Sequence, residues 1–303
     1  MTRAYVPICP STERTRWLEA RRKGIGGSES KILLLGNYYG NTPYTLWASK
    51  VHGVDEMVTS EAADLGLKLE KWCFAQFSEE ANLTTYGWGE LCQSIEWPWL
   101  LATPDAVVLV PNVGECLLQV KTAGDASAWE DGVPEHVYIQ IQHELAVTGL
   151  AHGYAAVLGG GKGGLRFRWA KVDRDPAMIA DIVERTRQFW GLVESKTPPA
   201  MDGQETTTSV IGRIFPKQEP GKSVALEGSF IDKDERLKEI DGLMRQLAYE
   251  ETEIKNAIRS TIGDAEIGVL PNGVTWTYKT QERKEFTVKA STSRVLRRHE
   301  RKT

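Results

Sequence analysis

The chain has 303 residues, of which 41% are hydrophobic and 26% charged, and it carries a net charge of −4. This is ordinary soluble composition with enough length for a sizeable core, and no apolar run of about 18 residues predicts a membrane span. The negative balance argues against a protein that coats nucleic acid with its whole surface. Its distribution is uneven: residues 279–303 hold nine Lys/Arg against three Glu, and segment 13–23, ERTRWLEARRK, holds five bases against two acids. Basic patches on an acidic body fit a DNA groove and fit a solvated tail equally well. The N-terminus MTRAYVPICPSTERTR lacks an apolar signal core. Cys9, Cys73, Cys92 and Cys116 are scattered without a CxxC pair. They predict reduced thiols in a cytosolic protein, with no zinc or iron–sulfur frame.

In chain order, residues 12–23 predict a short helix stopped at Gly24. Ser28 can cap a second helix, SESKILLLG, ended by Gly36. A long amphipathic helix is expected over 59–82. Apolar, β-rich sequence follows at 97–110, WPWLLATPDAVVLV, then a turn at PNVGE and a strand at 116–121, CLLQVK. Pro134 begins a helix, EHVYIQIQHELAVT, closed by Gly149. Strands GYAAVLGG and LRFRWAKVD flank the loop GGKGG, and Asp175-Pro176 opens a helix to about 195. TPPAMDGQETTTS is expected to be a linker. Beyond it Leu237, Ile240, Met244, Leu247, Ile254 and Ile258 keep mostly heptad spacing, interrupted by Glu251. That pattern predicts a helix packed on its own body rather than a free coiled coil. The tail GVTWTYKTQERKEFTVKAS is β-rich. These features divide the chain into a domain over 1–200 and an extension over 201–303.

Three polar intrusions interrupt this apolar pattern. In a hairpin over 101–121 with its turn near Val113, Asp105 falls opposite Lys121 and Val107 opposite Gln119. Period-two alternation then puts Asp105, Gln119 and Lys121 on one sheet face. An acid, an amide and a lysine at the end of a buried sheet are costly to desolvate without purpose; a structural cross-strand salt bridge would produce the same pattern. On the long helix, Glu70 sits mid-face among Gly66, Cys73, Phe74 and Phe77 at about 100° per residue. There it wants a metal or a lysine, unless it reaches water from the edge of the stripe. Gln140 and Gln142 interrupt the third segment. Of the glycine clusters, GIGGSES has no Gly-Lys-Ser/Thr ending and is not a nucleotide P-loop. GGGKGG at 159–164 lacks it too and reads as a hairpin loop.

Taken together these residues resemble the PD-(D/E)XK nuclease superfamily and, more narrowly, the YqaJ-type phage recombinases related to lambda exonuclease. RRKGIGGSES is similar to the opening arginine–glycine–serine segment, and LGLKLEKW to the Gly-x-x-x-Glu helix. TPDAVV supplies the motif Asp, LLQVKT the strand that normally reads Glu-x-Lys, and YIQIQHELAVTG the following Gln-bearing helix. The pieces run in family order over roughly 14–195. The helical stretch and β tail resemble the C-terminal extension of many YqaJ-type proteins.

The resemblance implies an α/β, restriction-endonuclease-like fold, a mixed central sheet flanked by helices with a helical and β appendage. It implies a catalytic set of Asp105, Gln119, Lys121, Glu70 and Gln140, and a Mg²⁺ site (Mn²⁺ as substitute) on Asp105, Glu70, Gln119 and Val120. Lys121 would orient or deprotonate the attacking water, and Gln140 would help position Lys121 or that water. Arg21 and Ser28, seven residues apart, would hold a 5′-terminal phosphate. The implied activity is 5′–3′ exonuclease action on ends of linear double-stranded DNA. The resulting 3′ tails would serve a single-strand annealing protein, and the enzyme would be a homo-oligomeric ring in the cytoplasm of a bacterial host, encoded by phage or prophage. One position departs from the pattern: Gln119 stands where the family has its second acid. An amide oxygen can ligate Mg²⁺ but brings no charge, although Mrr-like branches of the superfamily do use Gln-x-Lys. Glu115 shares the strand face but lies about 13 Å away along it. A DNA-end-binding or assembly protein that kept the fold and lost the acid, or a structure-specific endonuclease, therefore stays open.

Overall fold

The computed structural model describes residues 3–54, 61–161, 163–282 and 298. The chain forms two compact units, Met1–Pro216 and Lys217–Thr303. In the first, the elements before the long helix are β1 (Tyr5–Pro10), α1 (Arg14–Arg21), β2 (Ile25–Gly26), α2 (Gly27–Leu35) and α3 (Pro43–His52). Then come α4 (Glu61–Ala81), β3 (Thr84–Gly87), β4 (Glu90–Ser94), β5 (Leu100–Ala102), β6 (Ala106–Val110) and β7 (Gly114–Ala123). The unit ends with α5 (Glu135–Thr148), β8 (His152–Gly161), β9 (Gly164–Asp173), α6 (Pro176–Glu194) and α7 (Glu205–Ile214).

The central sheet runs β3-β6-β7-β8-β9, and a smaller sheet runs β1-β4-β5-β2. Within the central sheet β7 and β8 are parallel and the other neighbours antiparallel, so the sheet is mixed. Its two faces are covered by different helices. Leu118 and Val120 of β7 pack with Cys73 and Phe77 of α4. Leu117 packs on the other side with Val137, Ile141 and Leu145 of α5. Alternation along β7 therefore directs Gln119 and Lys121 to the α5 side.

The β6–β7 register differs from expectation. Ala106 pairs with Leu118 and Val110 with Gly114, so the turn centres on Asn112, which takes φ 63°, one residue before Val113. Pairing moves by two residues and Asp105, just before β6, falls beside Gln119 rather than Lys121. Because two is the side-chain period, the shared face survives.

Three further expectations change. Ser28 does not cap α2: Gly26 is the N-cap, and the Glu29 carboxylate accepts its N–H at 2.7 Å. A carboxylate three residues into the helix does the capping work. The stretch after 200 is not a plain linker, because α7 packs Val210 into the apolar cluster of Tyr44, Leu46 and Trp47. The first unit accordingly extends to Pro216 rather than ending at 200. In the second unit, α8 (Ser229–Ile262) buries none of its residues, in contrast to the packed helix its stripe predicts; β10 (Ile267–Val269) and β11 (Thr275–Thr277) form a hairpin at its end. Most of the basic tail 279–303 lies outside the described residues, as does Lys162 in the glycine loop.

Candidate active site

Asp105, Gln119 and Lys121 come together at the end of the central sheet. Asp105 Oδ2 accepts the Gln119 Nε2–H at 2.6 Å and the Val120 backbone N–H at 2.8 Å. Gln119 is 2% exposed, and its Oε1 has no hydrogen-bond partner among the described residues. Burial raises the Asp105 carboxyl above the ordinary range, while Lys121 and the two donated bonds pull it back. Glu70 approaches from α4. That helix lies close on the sheet at Gly66, where an added Cβ would stand 2.9 Å from Thr122 Oγ1. The Glu70 carboxyl is pushed up to about 7, by burial first and by the Asp105 charge second, with Lys121 opposing. Half-buried Glu70 thus lies within the electrostatic reach of Asp105 and Lys121.

On α5, Gln140 is buried and donates Nε2–H to Glu144 Oε1 at 3.0 Å. The family resemblance directs this side chain to Lys121 or water; its amide is instead committed to Glu144 and its Oε1 is left without a partner. Glu144 is 1% exposed, and its Oε2 is also unpartnered. Burial and the Asp105 charge push its carboxyl up to about 8. Gln142 holds the architecture together, donating to Asp173 O and accepting from Asp175 N, and so staples the β9–α6 junction. Glu115 bonds the Tyr86 hydroxyl and stays exposed.

A second group adjoins the first. Arg21 Nη2 donates to Ser28 Oγ at 3.0 Å and lies 3.3 Å from Glu29 Oε1, and its guanidinium stacks on Trp17. Lys50 Nζ holds both Glu29 oxygens at 2.8 Å. Burial alone would raise the Glu29 carboxyl, but Lys50, Arg21 and the Gly26 amide together hold it below its usual range. Arg21 and Ser28 line a cleft of about 360 Å³ that also contains Arg14 and Arg22. They line a second pocket of about 70 Å³, whose inner wall includes Gln140 and Glu144. The Arg21–Ser28 pair and the polar group around Asp105 are therefore linked through Glu144, which lines the second pocket and feels the Asp105 charge.

Sequence reasoning missed Glu144, Lys31 and the Glu29–Lys50 pair. Glu144 had a legible signal, since it stands four residues after Gln140 on one helix face. Lys31 sits in SESKILLLG, where a lone lysine in an apolar run reads as solvent-exposed; it is 8% exposed.

The donor set suits a hard divalent cation. No group of three His, Cys, Asp or Glu able to hold a metal occurs among the described residues. Asp105 and Glu70 thus need neutral oxygens, and the unpartnered Gln119 Oε1 is one. Mg²⁺ commonly binds through one or two carboxylates and retains several waters.

A model of the YqaJ-like viral recombinase domain matches residues 16–151. The protein YqaJ of Bacillus subtilis (strain 168) is 31% identical over 267 residues, covering 86% of this chain and 81% of that protein. Among solved structures, an alkaline exonuclease from Laribacter hongkongensis superposes with a TM-score of 0.50 at 20% identity, covering 60% of this chain and 94% of that one. The likeness to that structure is one of fold. No helix among the described residues is long and apolar enough to cross a membrane.

Proposed function

The chain belongs to the family of YqaJ-like viral recombinases, and from that premise we propose that it is a Mg²⁺-dependent exonuclease. It degrades linear double-stranded DNA from 5′ ends, in the cytoplasm of a bacterial host of the encoding phage or prophage. The observation that carries this reading is the adjacency of two groups. Asp105, Gln119, Glu70 and Lys121 stand at the sheet end, and the Arg21–Ser28 pocket adjoins them through Gln140 and Glu144.

Asp105, Glu70, the Gln119 amide oxygen and Val120 would hold the ion. When bound, it supplies positive charge that polarises the phosphate and lowers the pKa of water. Lys121 orients the attacking water and stabilises charge on the phosphorane-like transition state. Asp105 must be ionised to serve. Its hydrogen bonds from Val120 and Gln119 favour that form against burial. Arg21 and Ser28 receive the 5′-phosphate, and the ion-paired Glu29 beneath them fixes the guanidinium. The products are 3′ single-stranded tails on which a single-strand annealing protein loads, and the working form is a cyclic oligomer around the DNA. A second reading, an end-binding protein without cleavage, is favoured by the neutral Gln119.

End-labelled linear duplex with 5′-phosphate or 5′-hydroxyl ends, incubated with Mg²⁺ beside an EDTA control and a closed circle, tests the proposal. The expected result is metal-dependent loss of linear DNA only, faster from phosphorylated ends. Cutting of circles would replace it with an endonuclease, and binding without loss with the end-binding protein.

A further inference from the structure

Lys31 lies one helical turn past Gly27 on α2, on the face that Gly27 presses against Gln140 and Glu144. It is 8% exposed, yet its ammonium makes no hydrogen bond or ion pair with a described residue. Its contact is the Tyr38 ring, 4.2 Å from Nζ to the centroid. Burial draws the Lys31 ammonium down to about 8, and the Lys121 charge acts in the same direction while Glu144 opposes both. His136, whose ring lies 5.2 Å from that of Tyr38, is also held low, by burial and then by the same two lysines. Three basic groups from α2, β7 and α5 therefore share one neighbourhood. The carboxyls facing it are Asp105, Glu70 and Glu144. Among the described residues the ammonium has only the Tyr38 ring beside it, so a phosphate that reached it would supply a charged acceptor and offset the cost of its partial burial. Two lysines within one another's field are relieved by an anion between them.

We propose that Lys31 is a further DNA-binding residue of this site. The phosphodiester to be cut enters between Lys31 and Lys121 and gives Lys31 a charged acceptor. This rests on the exonuclease reading above and assigns that site a second backbone contact. Ser28 precedes Lys31 by three residues on α2, so adjacent turns of one helix serve the terminal phosphate and the phosphate under attack.

The test compares Lys31→Met, Lys31→Gln and Lys31→Arg with the unaltered chain. Binding of blunt linear duplex is measured in EDTA across a salt series, with 5′-phosphate and 5′-hydroxyl ends. One lost phosphate contact lowers the slope of log affinity against log salt by about 0.7–0.9. That drop is expected in Lys31→Met and Lys31→Gln on both kinds of end, with Lys31→Arg retaining most of the slope. In Mg²⁺ the two neutral variants should cleave about tenfold more slowly or worse. An unchanged slope overturns the assignment, even where the variants melt earlier, because that is the pattern of a purely structural lysine. A loss confined to 5′-phosphorylated ends overturns it too, since Lys31 would then serve the terminus. If the unaltered chain binds ends but cuts nothing, the exonuclease reading fails, while the salt slope still decides whether Lys31 touches phosphate.

Discussion

Gln119 is the residue on which the chemistry turns. Its amide donates to Asp105 at 2.6 Å, which leaves Oε1 buried and unpartnered on its other side. Leaving a buried acceptor unsatisfied costs about 1–3 kcal/mol, a strain that a bound cation would relieve. In a working Gln-x-Lys site, Gln119→Ala abolishes cleavage and Gln119→Glu keeps or raises it at lower Mg²⁺. If the acid has been lost, the unaltered chain binds without cutting and Gln119→Glu switches cleavage on. Asp105→Ala is inactive in both cases, and unimpaired cleavage by that variant would remove the site assignment altogether. Glu144 gives a prediction that needs no substrate. The folded protein keeps its proton up to about pH 8, whereas an unperturbed carboxyl releases it near 4.5. Between those values the folded state binds more protons than the unfolded chain, so this group's contribution to stability falls as pH rises. Melting temperatures across pH 5–8 should therefore decline less steeply in Glu144→Gln. Parallel curves for the two proteins would show that Glu144 does not titrate there.

At the scale of elements, the close seating of α2 on α5 joins the anion pocket to the sheet end. Gly27 makes that seating possible. An added Cβ would stand 3.0 Å from Glu144 Oε1 and 3.2 Å from Gln140 Cγ, and Gln140 pins that Glu144 oxygen. Gly27→Ala is expected to push the helices apart at about 1–3 kcal/mol and to weaken binding of 5′-phosphorylated ends. Unchanged melting and unchanged affinity would mean the interface has slack. Helices α4, α5 and α6 and the β6–β7 pair were legible because periodicity and flanking residues are local signals, whereas α3 went unread despite Gly53 at its end. Thus α5 runs Glu135–Thr148 with Gly149 in the left-handed conformation, as its flanking residues predict. The register was not, because it depends on whether Asn112 or Val113 takes the centre of the turn. An Asn adopts positive φ far more readily than a β-branched Val, and that preference could have decided it. Helix α7 was hidden for another reason. Its TTTS sequence has poor helix propensity, and it is held by tertiary contacts: Val210 in the core and Thr207 bonded to Thr42 and Asp202. Such contacts override propensity and leave no local trace.

For the whole molecule, charge and retention on DNA pull in opposite directions. The chain is net negative, and the arginines that line the cleft, Arg14, Arg21 and Arg22, form one local cluster. A monomer that held a duplex through this cluster, Lys31 and Lys121 alone would lose it readily as salt rises, because each contact contributes counterion release. A closed cyclic oligomer retains the strand by topology instead, and a head-to-tail interface that closes on itself is the simplest way for identical chains to make one. The proposed ring therefore predicts two linked measurements. Sedimentation at micromolar concentration should give a trimer or another closed oligomer, and the length degraded per binding event should change little with salt even as the rate of loading falls. Monomer alone, with and without DNA, would sink the ring. Tract lengths that shorten in step with loading as salt rises would show that electrostatics, not enclosure, keeps the enzyme on its strand.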